Sequence, residues 1–398
     1  MEGFEKQLEF LRRRIARIDA RYAGPAPAAQ LLEGREVETA LGKHWEIDNL
    51  WPAHQRHGSA DIGALTELSD DLLEVLEAGM VAPAHRWIFL DTETTGLAGG
   101  SGTLAFLIGV GWISPRGFEL KQFFIRDHGE EPSALLALSQ LLSGFDVMVT
   151  YNGKAFDAPL LETRYRLARQ PPPFERLRHL DLLFSARRLW KLALESCRLQ
   201  DLESRILGVE RHGDVDGGLI PSLYFEFLRT KDARPLIPVL SHNATDILSL
   251  ACLTAVVPLA FREPSQVRRA AEMVGLGRWL RNEGRLEEAL HLFRNAVNLK
   301  LPDDLVYHTL WQIGTIEKRL GRHDAAVAAW SELTTIANPF RAQAYEQLAI
   351  HYEHREKNAG MALEMTRAAL RISSTEELLK REARLVEKST RPKSGRLI

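Results

Sequence analysis

Cysteine is nearly absent: Cys197 and Cys252 are the two in 398 residues, and neither has neighbours at metal-ligand spacing. That excludes a disulfide-stapled fold and a thiolate zinc cluster, and it suits a reducing compartment. An excess of one charge is absent too. Lys plus Arg number 51 and Asp plus Glu 53, a formal net charge of −2, so any surface that attracts nucleic acid must be local. No apolar run is long. The longest, 247–261, is short for a membrane span and contains Pro258. The N-terminus, from Met1 through Arg14, is too charged for a secretory signal. These absences predict a cytoplasmic protein with no membrane partner. The 45% hydrophobic content then predicts a globular chain, and the length two or three domains.

The most informative segment present is Arg86–Leu97. Trp87 to Leu90 reads as a buried strand that delivers Asp91 and Glu93 at its end. Residues two apart on a strand point the same way. Two carboxylates on one face beside a buried strand repel each other and resist desolvation, a conflict that a divalent cation removes. Hard oxygen ligands suit Mg²⁺ or Mn²⁺. An isolated Asp-x-Glu is also readily a solvated acidic loop, so two further segments carry weight. In the first, a short apolar strand ends in Tyr151-Asn152-Gly153, and a helix is predicted from Asp157, with Pro159 in its first turn. In the second, the apolar pattern of 236–257 is helical and puts His242 and Asp246, four apart, on one face.

The order Asp91-x-Glu93, Asn152-x4-Asp157, His242-x3-Asp246 resembles the DEDD superfamily of 3′–5′ exonucleases, which share a ribonuclease H-like fold. Asp91-Thr92-Glu93-Thr94-Thr95-Gly96 is similar to that family's first motif, and Asn152–Asp157 to its second. The third has a histidine at the spacing where one branch of the family has tyrosine, and another branch has histidine one residue further away. The chain also resembles the bacterial YprB-like group of ribonuclease H-like domains in His179-Leu180-Asp181, Arg198–Leu202 with Gly208, and Ile220–Tyr224. The resemblance spans roughly residues 85–260.

The resemblance implies a site of two divalent cations, Mg²⁺ or Mn²⁺, held by Asp91, Glu93, Asp157 and Asp246. Asp91 would bridge both cations, and His242 would act as general base. Thr94, Thr95, Gly96 and Leu97 would contact the terminal nucleotide, and Asn152 would orient the second motif or touch the sugar. Lys154 is a candidate phosphate contact. Gly99, Gly100 and Gly102 read equally as a substrate approach or as a plain turn. His54, His57 and Asp61 read as loop residues rather than as a metal site.

The domain organisation expected is an N-terminal extension over 1–83, a ribonuclease H-like domain over 84–262, helical repeats over 268–375 and a basic, frayed tail over 380–398. Residues 1–20 have the apolar stripe of an amphipathic helix, 21–27 read as a linker and 65–76 as a helix. The α/β domain should have strands at 86–91, 104–113 and 117–126 as an antiparallel meander and a fourth at 147–151. Helices are expected near 131–143, 157–169, 181–193, 221–229 and 235–258.

Beyond 268 the strand patterns stop. Leu276-Gly277 with Ala289, Phe293 and Ala296 is followed 37 residues later by Ile313-Gly314 with Ala326 and Trp330. Gly284 and Gly321 fall at matching turns, and a weaker third unit carries Tyr345, Leu348, Ala349, Ala362 and Ala369. This is tetratricopeptide-like spacing, and three units are about the minimum for a stable stack. The functional expectation is a 3′–5′ exonuclease on single-stranded DNA or RNA whose repeats bind an unidentified protein. The alternatives are a silent adaptor and a metal-dependent endonuclease or resolvase.

Overall fold

The computed structural model describes residues 33–96 and 102–390. The amphipathic pattern of 1–20, the linker at 21–27, and Leu97, Gly99 and Gly100 lie outside the described residues. The chain divides into two units, one running through Arg187 together with Ser196–Arg262, the other comprising Arg188–Glu195 and the chain from Glu263.

The first unit is built on a seven-stranded mixed sheet. Its strands are β1 (Arg35–Thr39), β2 (Gly42–Pro52), β5 (Trp87–Thr94), β6 (Ala105–Ser114), β7 (Gly117–Phe124), β8 (Val147–Thr150) and β9 (Arg178–Asp181). The spatial order is β1-β2-β7-β6-β5-β8-β9. A separate two-residue hairpin is made by β3 (Arg56–His57) and β4 (Ala60–Asp61). Strands β5, β6 and β7 form the expected antiparallel meander, and β5 pairs with β8 in parallel. Trp87, Ile88, Phe89 and Leu90 are fully buried because both faces of β5 are covered.

The flanking helices are α1 (Glu131–Leu142), α2 (Asp157–Leu167), α3 (Leu182–Trp190), the short α4 (Leu199–Leu202), α5 (Ile220–Thr230) and α6 (Ile237–Arg262). By length and composition, the helical run 234–262 could cross a membrane, but 72% of its apolar window is buried within the fold, as in a core helix.

Four expectations are corrected. Residues 35–52 are not an appendage: β1 and β2 extend the sheet beyond β7, with Trp45 and Ile47 packed into its core. Residues 65–76 form two 3₁₀ turns, Gly63–Glu67 and Leu72–Val75, rather than one helix. Ser69, Asp70 and Asp71 lie between them, residue types that favour turns, and Arg262 bonds Ser69 Oγ and the Asp71 carbonyl. His179 to Asp181 belong to a strand, and the helix starts one residue later. The tail past Lys380 is helical as far as Thr390, for reasons given next.

The second unit has no strand among its described residues. Its helices are α7 (Ala270–Asn282), α8 (Leu286–Asn298), α9 (Asp303–Arg319), α10 (His323–Thr335), α11 (Arg341–His354), α12 (Ala359–Leu370) and α13 (Glu376–Thr390). Consecutive helices pack on each other. A Cβ on Gly277 would lie 2.6 Å from the Phe293 ring, and one on Gly314 would lie 2.4 Å from Trp330 Nε1. Both helix pairs therefore close on a glycine against an aromatic ring. Helix α13 holds because Leu378 and Leu385 are buried and because Arg384 and Lys388 bond the buried Glu353.

Candidate active site

The cleft is assembled from the ends of β5, the start of α2 and one face of α6. Asp91 and Glu93 do not lie beyond the strand. They remain in the ladder, opposite Gly109 and Leu107 of β6, and the register shifts only between Glu93 and Thr94. Gly109 is what lets α6 reach them. A Cβ there would fall 2.2 Å from Asn243 Oδ1 and 2.3 Å from Ile247 Cδ1, so any larger residue would push the helix off the sheet. Asn243 uses that closeness to join three elements. Its Nδ2 donates to Asp91 Oδ2 at 2.9 Å, and its Oδ1 accepts from Gln122 Nε2 of β7 at 2.9 Å.

One turn of α6 then supplies His242 and Asp246. His242 Nε2 lies 3.9 Å from Glu93 Oε1 and 3.7 Å from Asp246 Oδ2. Asp157, the first residue of α2, accepts from Thr92 Oγ1 at 2.5 Å. The structure therefore brings Asp91, Glu93, Asp157, His242 and Asp246 together.

Their titration reflects crowding. Burial, then the charges of Asp246, Asp157 and Glu93, pushes the Asp91 carboxyl well above the usual carboxylate range. Burial also pushes Glu93 up to about 8, against the opposing pull of His242. Burial raises Asp157 to about 6, against the hydrogen bond from Thr92. In His242, burial favours the neutral ring but is outweighed by the Asp214 hydrogen bond and the charges of Asp246 and Glu93, which take it up to about 9. Such a set of acids is a typical mark of a functional site.

The other residues singled out in the sequence are placed as follows. Thr94 Oγ1 donates to the Gly96 carbonyl at 2.9 Å, and Thr95 Oγ1 accepts from Leu104 N at 2.9 Å. Thr94–Gly96 therefore form a pinned turn at the end of β5. Asn152 adopts φ of 67°, and its N–H donates to Asp181 Oδ1 at 2.8 Å. Its backbone is what shapes the second motif. Lys154 Nζ lies 3.7 Å from Glu77 Oε2. His57 and Asp61 do not form a metal site. His57 Nε2 bonds Ser249 Oγ at 2.6 Å, and Asp61 Oδ1 accepts from Gly63 N.

Several further neighbours complete the site. Asp181 gathers the N–H groups of Asn152, Lys154 and Leu183. Arg211 is the main one. Its guanidinium bonds Asp246, holds Glu203 through Nε at 2.6 Å and Nη2 at 2.5 Å, and reaches Asp214 Oδ2 at 3.2 Å. Asp214 Oδ1 in turn lies 2.8 Å from His242 Nδ1. The β3–β4 hairpin braces this arm, since Ser59 N donates to the Leu207 carbonyl at 2.6 Å. Asn243 and Asp181 stand inside quoted motifs and were findable. Arg211 and Asp214 sit in an irregular segment with no periodic signal.

Among the described residues, no three of His, Cys, Asp and Glu are already drawn to metal-ligand spacing. The donor set nonetheless fits hard divalent cations. Four carboxylates face one cleft, three of them hold protons above their ordinary range, and Arg211 pairs with the fourth.

Residues 88–257 match the family model described as the RNase_H superfamily. Over 355 residues, 85% of this chain and 84% of the relative, the sequence is 32% identical to "Uncharacterized protein YprB" of Bacillus subtilis (strain 168). The superfamily fold is one of nucleic-acid processing, and its members are generally hydrolytic nucleases that use divalent metals.

Proposed function

The chain belongs to the family of Bacillus subtilis YprB and carries a ribonuclease H superfamily domain, and on that premise we propose that it is a metal-dependent 3′–5′ exonuclease acting on single-stranded DNA or RNA. The observation that carries the reading is the convergence of Asp91, Glu93, Asp157 and Asp246 beside the Nε2 of His242.

Two divalent cations, Mg²⁺ or Mn²⁺, held by the four carboxylates would stabilise charge on the phosphoryl oxygens and acidify the attacking water. The chain's own groups do the rest. In its neutral form His242 takes the proton of the water at Nε2, the ring nitrogen that faces Glu93 and Asp246. Asn243 and Thr92 fix the rotamers of Asp91 and Asp157. The turn Thr94–Gly96 offers backbone groups to the terminal nucleotide, next to the catalytic acids. The modest net charge is consistent with this reading, because the attraction for phosphate would come from the site itself.

The helical unit recruits a protein partner in this reading, and the protein works in the cytoplasm. A nuclease of the same fold that cuts internally would use the same residues. The test is incubation with single-stranded DNA and RNA labelled at the 5′ end, with Mn²⁺, Mg²⁺ or EDTA. A ladder that shortens stepwise from the 3′ end in metal supports the proposal. Immediate internal products would replace it with an endonuclease, and inertness towards both nucleic acids would favour an adaptor.

A further inference from the structure

His242 Nδ1 has two competing neighbours. Asp214 Oδ1 is 2.8 Å away and can only accept when ionised. Arg211 Nη1 is 3.2 Å away and can only donate. The two are themselves joined, Arg211 Nη1 to Asp214 Oδ2 at 3.2 Å, and both are carried by the segment that leads from the turn at Leu207 to α5. The other ring nitrogen, Nε2, faces Glu93 and Asp246. A neutral imidazole carries one proton, so the partner of Nδ1 decides whether Nε2 has a free lone pair.

We propose that Asp214 is a positioning residue. By accepting the Nδ1 proton it keeps the lone pair of neutral His242 at Nε2, in the cleft, against Arg211, which would otherwise draw that lone pair to Nδ1. The inference rests on the nuclease reading of the site but concerns the ring rather than the reaction. Arg211 is fixed by the buried Glu203, which it bonds through Nε and Nη2. It therefore stays beside Nδ1 when Asp214 is removed. Glu203 is in turn bonded by Ser249, the residue that receives His57 from the β3–β4 hairpin. The hairpin thus gives residues 56–61 a purpose: they back the arm that presents Arg211 and Asp214.

The experiment is long-range nitrogen–proton NMR of the histidine rings in the full chain, free of metal, at a pH where the ring is neutral. The His242 signals are assigned by their loss in His242→Gln. The wild type should show a protonated Nδ1 and a bare Nε2. Asp214→Ala should reverse this, and Asp214→Glu should restore the wild-type pattern. Asp214→Asn, whose amide oxygen can still accept, serves if the alanine variant fails to fold and should keep the wild-type tautomer. On oligonucleotide, Asp214→Ala should lower kcat by roughly 10²-fold or more, as when a general base is disabled, with KM and Mn²⁺ affinity unchanged. A wild-type ring protonated at Nε2, or an Asp214→Ala ring that keeps its proton on Nδ1, overturns the inference. If no form of the protein cleaves nucleic acid, the nuclease reading falls while the tautomers still decide the role of Asp214.

Discussion

Arg211 bonds the Asp246 carboxylate while its Nε holds Glu203 at 2.6 Å. The cleft thus has a built-in countercharge on the helix side, whereas on the strand side Asp91 meets the neutral amide of Asn243 and Glu93 faces His242. Glu203 is only 1% exposed, and Arg211 is its ion-pair partner, with Ser249 adding a hydrogen bond. Removing one partner of a buried pair strands the other. Arg211→Ala should therefore destabilise the fold by about 3–5 kcal/mol, measured by urea unfolding at neutral pH. Arg211→Ala combined with Glu203→Gln should recover much of the loss. A double variant no more stable than the single one would show that the pair is not the cause.

The pH dependence of stability follows from the acids. Glu93 is pushed up to about 8 by burial, and His242 is held at about 9 once its carboxylate neighbours outweigh burial. Both groups hold protons in the fold that the unfolded chain has released above its ordinary values of 4.5 and 6.5. Their protonation in the fold therefore favours folding at low pH, and that advantage is lost as pH rises towards 8 and 9. In EDTA, stability should fall by several kcal/mol as pH rises from about 4.5 to about 9. Mn²⁺ should flatten or reverse the slope, because cation binding improves as the ligands deprotonate. Urea midpoints measured with and without Mn²⁺ decide this. A rise of stability with pH in EDTA would contradict the account.

His242→Ala should slow hydrolysis by roughly 10²–10⁴-fold, the range for loss of a general base. Mn²⁺ binding, followed by calorimetry, should be largely kept, since the four carboxylates are untouched. A loss of cation binding equal to the loss of turnover would make His242 a ligand instead.

In the helical unit, Gly314 leaves no room beside Trp330. Gly314→Ala should destabilise that unit by about 1–3 kcal/mol through overpacking, read as an earlier thermal transition. Trp330→Leu in the same background should relieve part of the cost. Indifference to the glycine change would argue against the small-residue register on which the repeat reading rests.

Much of the α/β core was legible because its signals are local. Trp87–Leu90 is an unbroken apolar run, and the 3.6-residue pattern of α6 places His242 and Asp246 on one face. The carboxylate set was legible because each member follows an apolar strand run, starts a helix or lies one helical turn from His242. Residues 35–52 were not, since β1 and β2 alternate charged and apolar residues and declare themselves only by pairing with β7. Arg211 and Asp214 were not, because a bond from an irregular segment to a helix 28 or 31 residues on has no periodicity to read. The Lys and Arg content of the tail hides its helix, because Glu353, a residue distant in sequence, supplies the countercharge for two of them.

The central claim is that four crowded carboxylates make a cation-dependent nuclease, and Asp91 is the one most deeply involved, with burial and three acidic neighbours acting on it. The most direct measurement is hydrolysis of end-labelled single-stranded oligonucleotide by wild type and Asp91→Asn in parallel, in Mn²⁺ and in EDTA, with the thermal stability of each recorded without metal. The account predicts hydrolysis by the wild type in Mn²⁺ alone, none by Asp91→Asn, and a metal-free Asp91→Asn at least as stable as the wild type, because Asn can still accept from Asn243. Full activity in Asp91→Asn, or equal wild-type activity in EDTA, would contradict it.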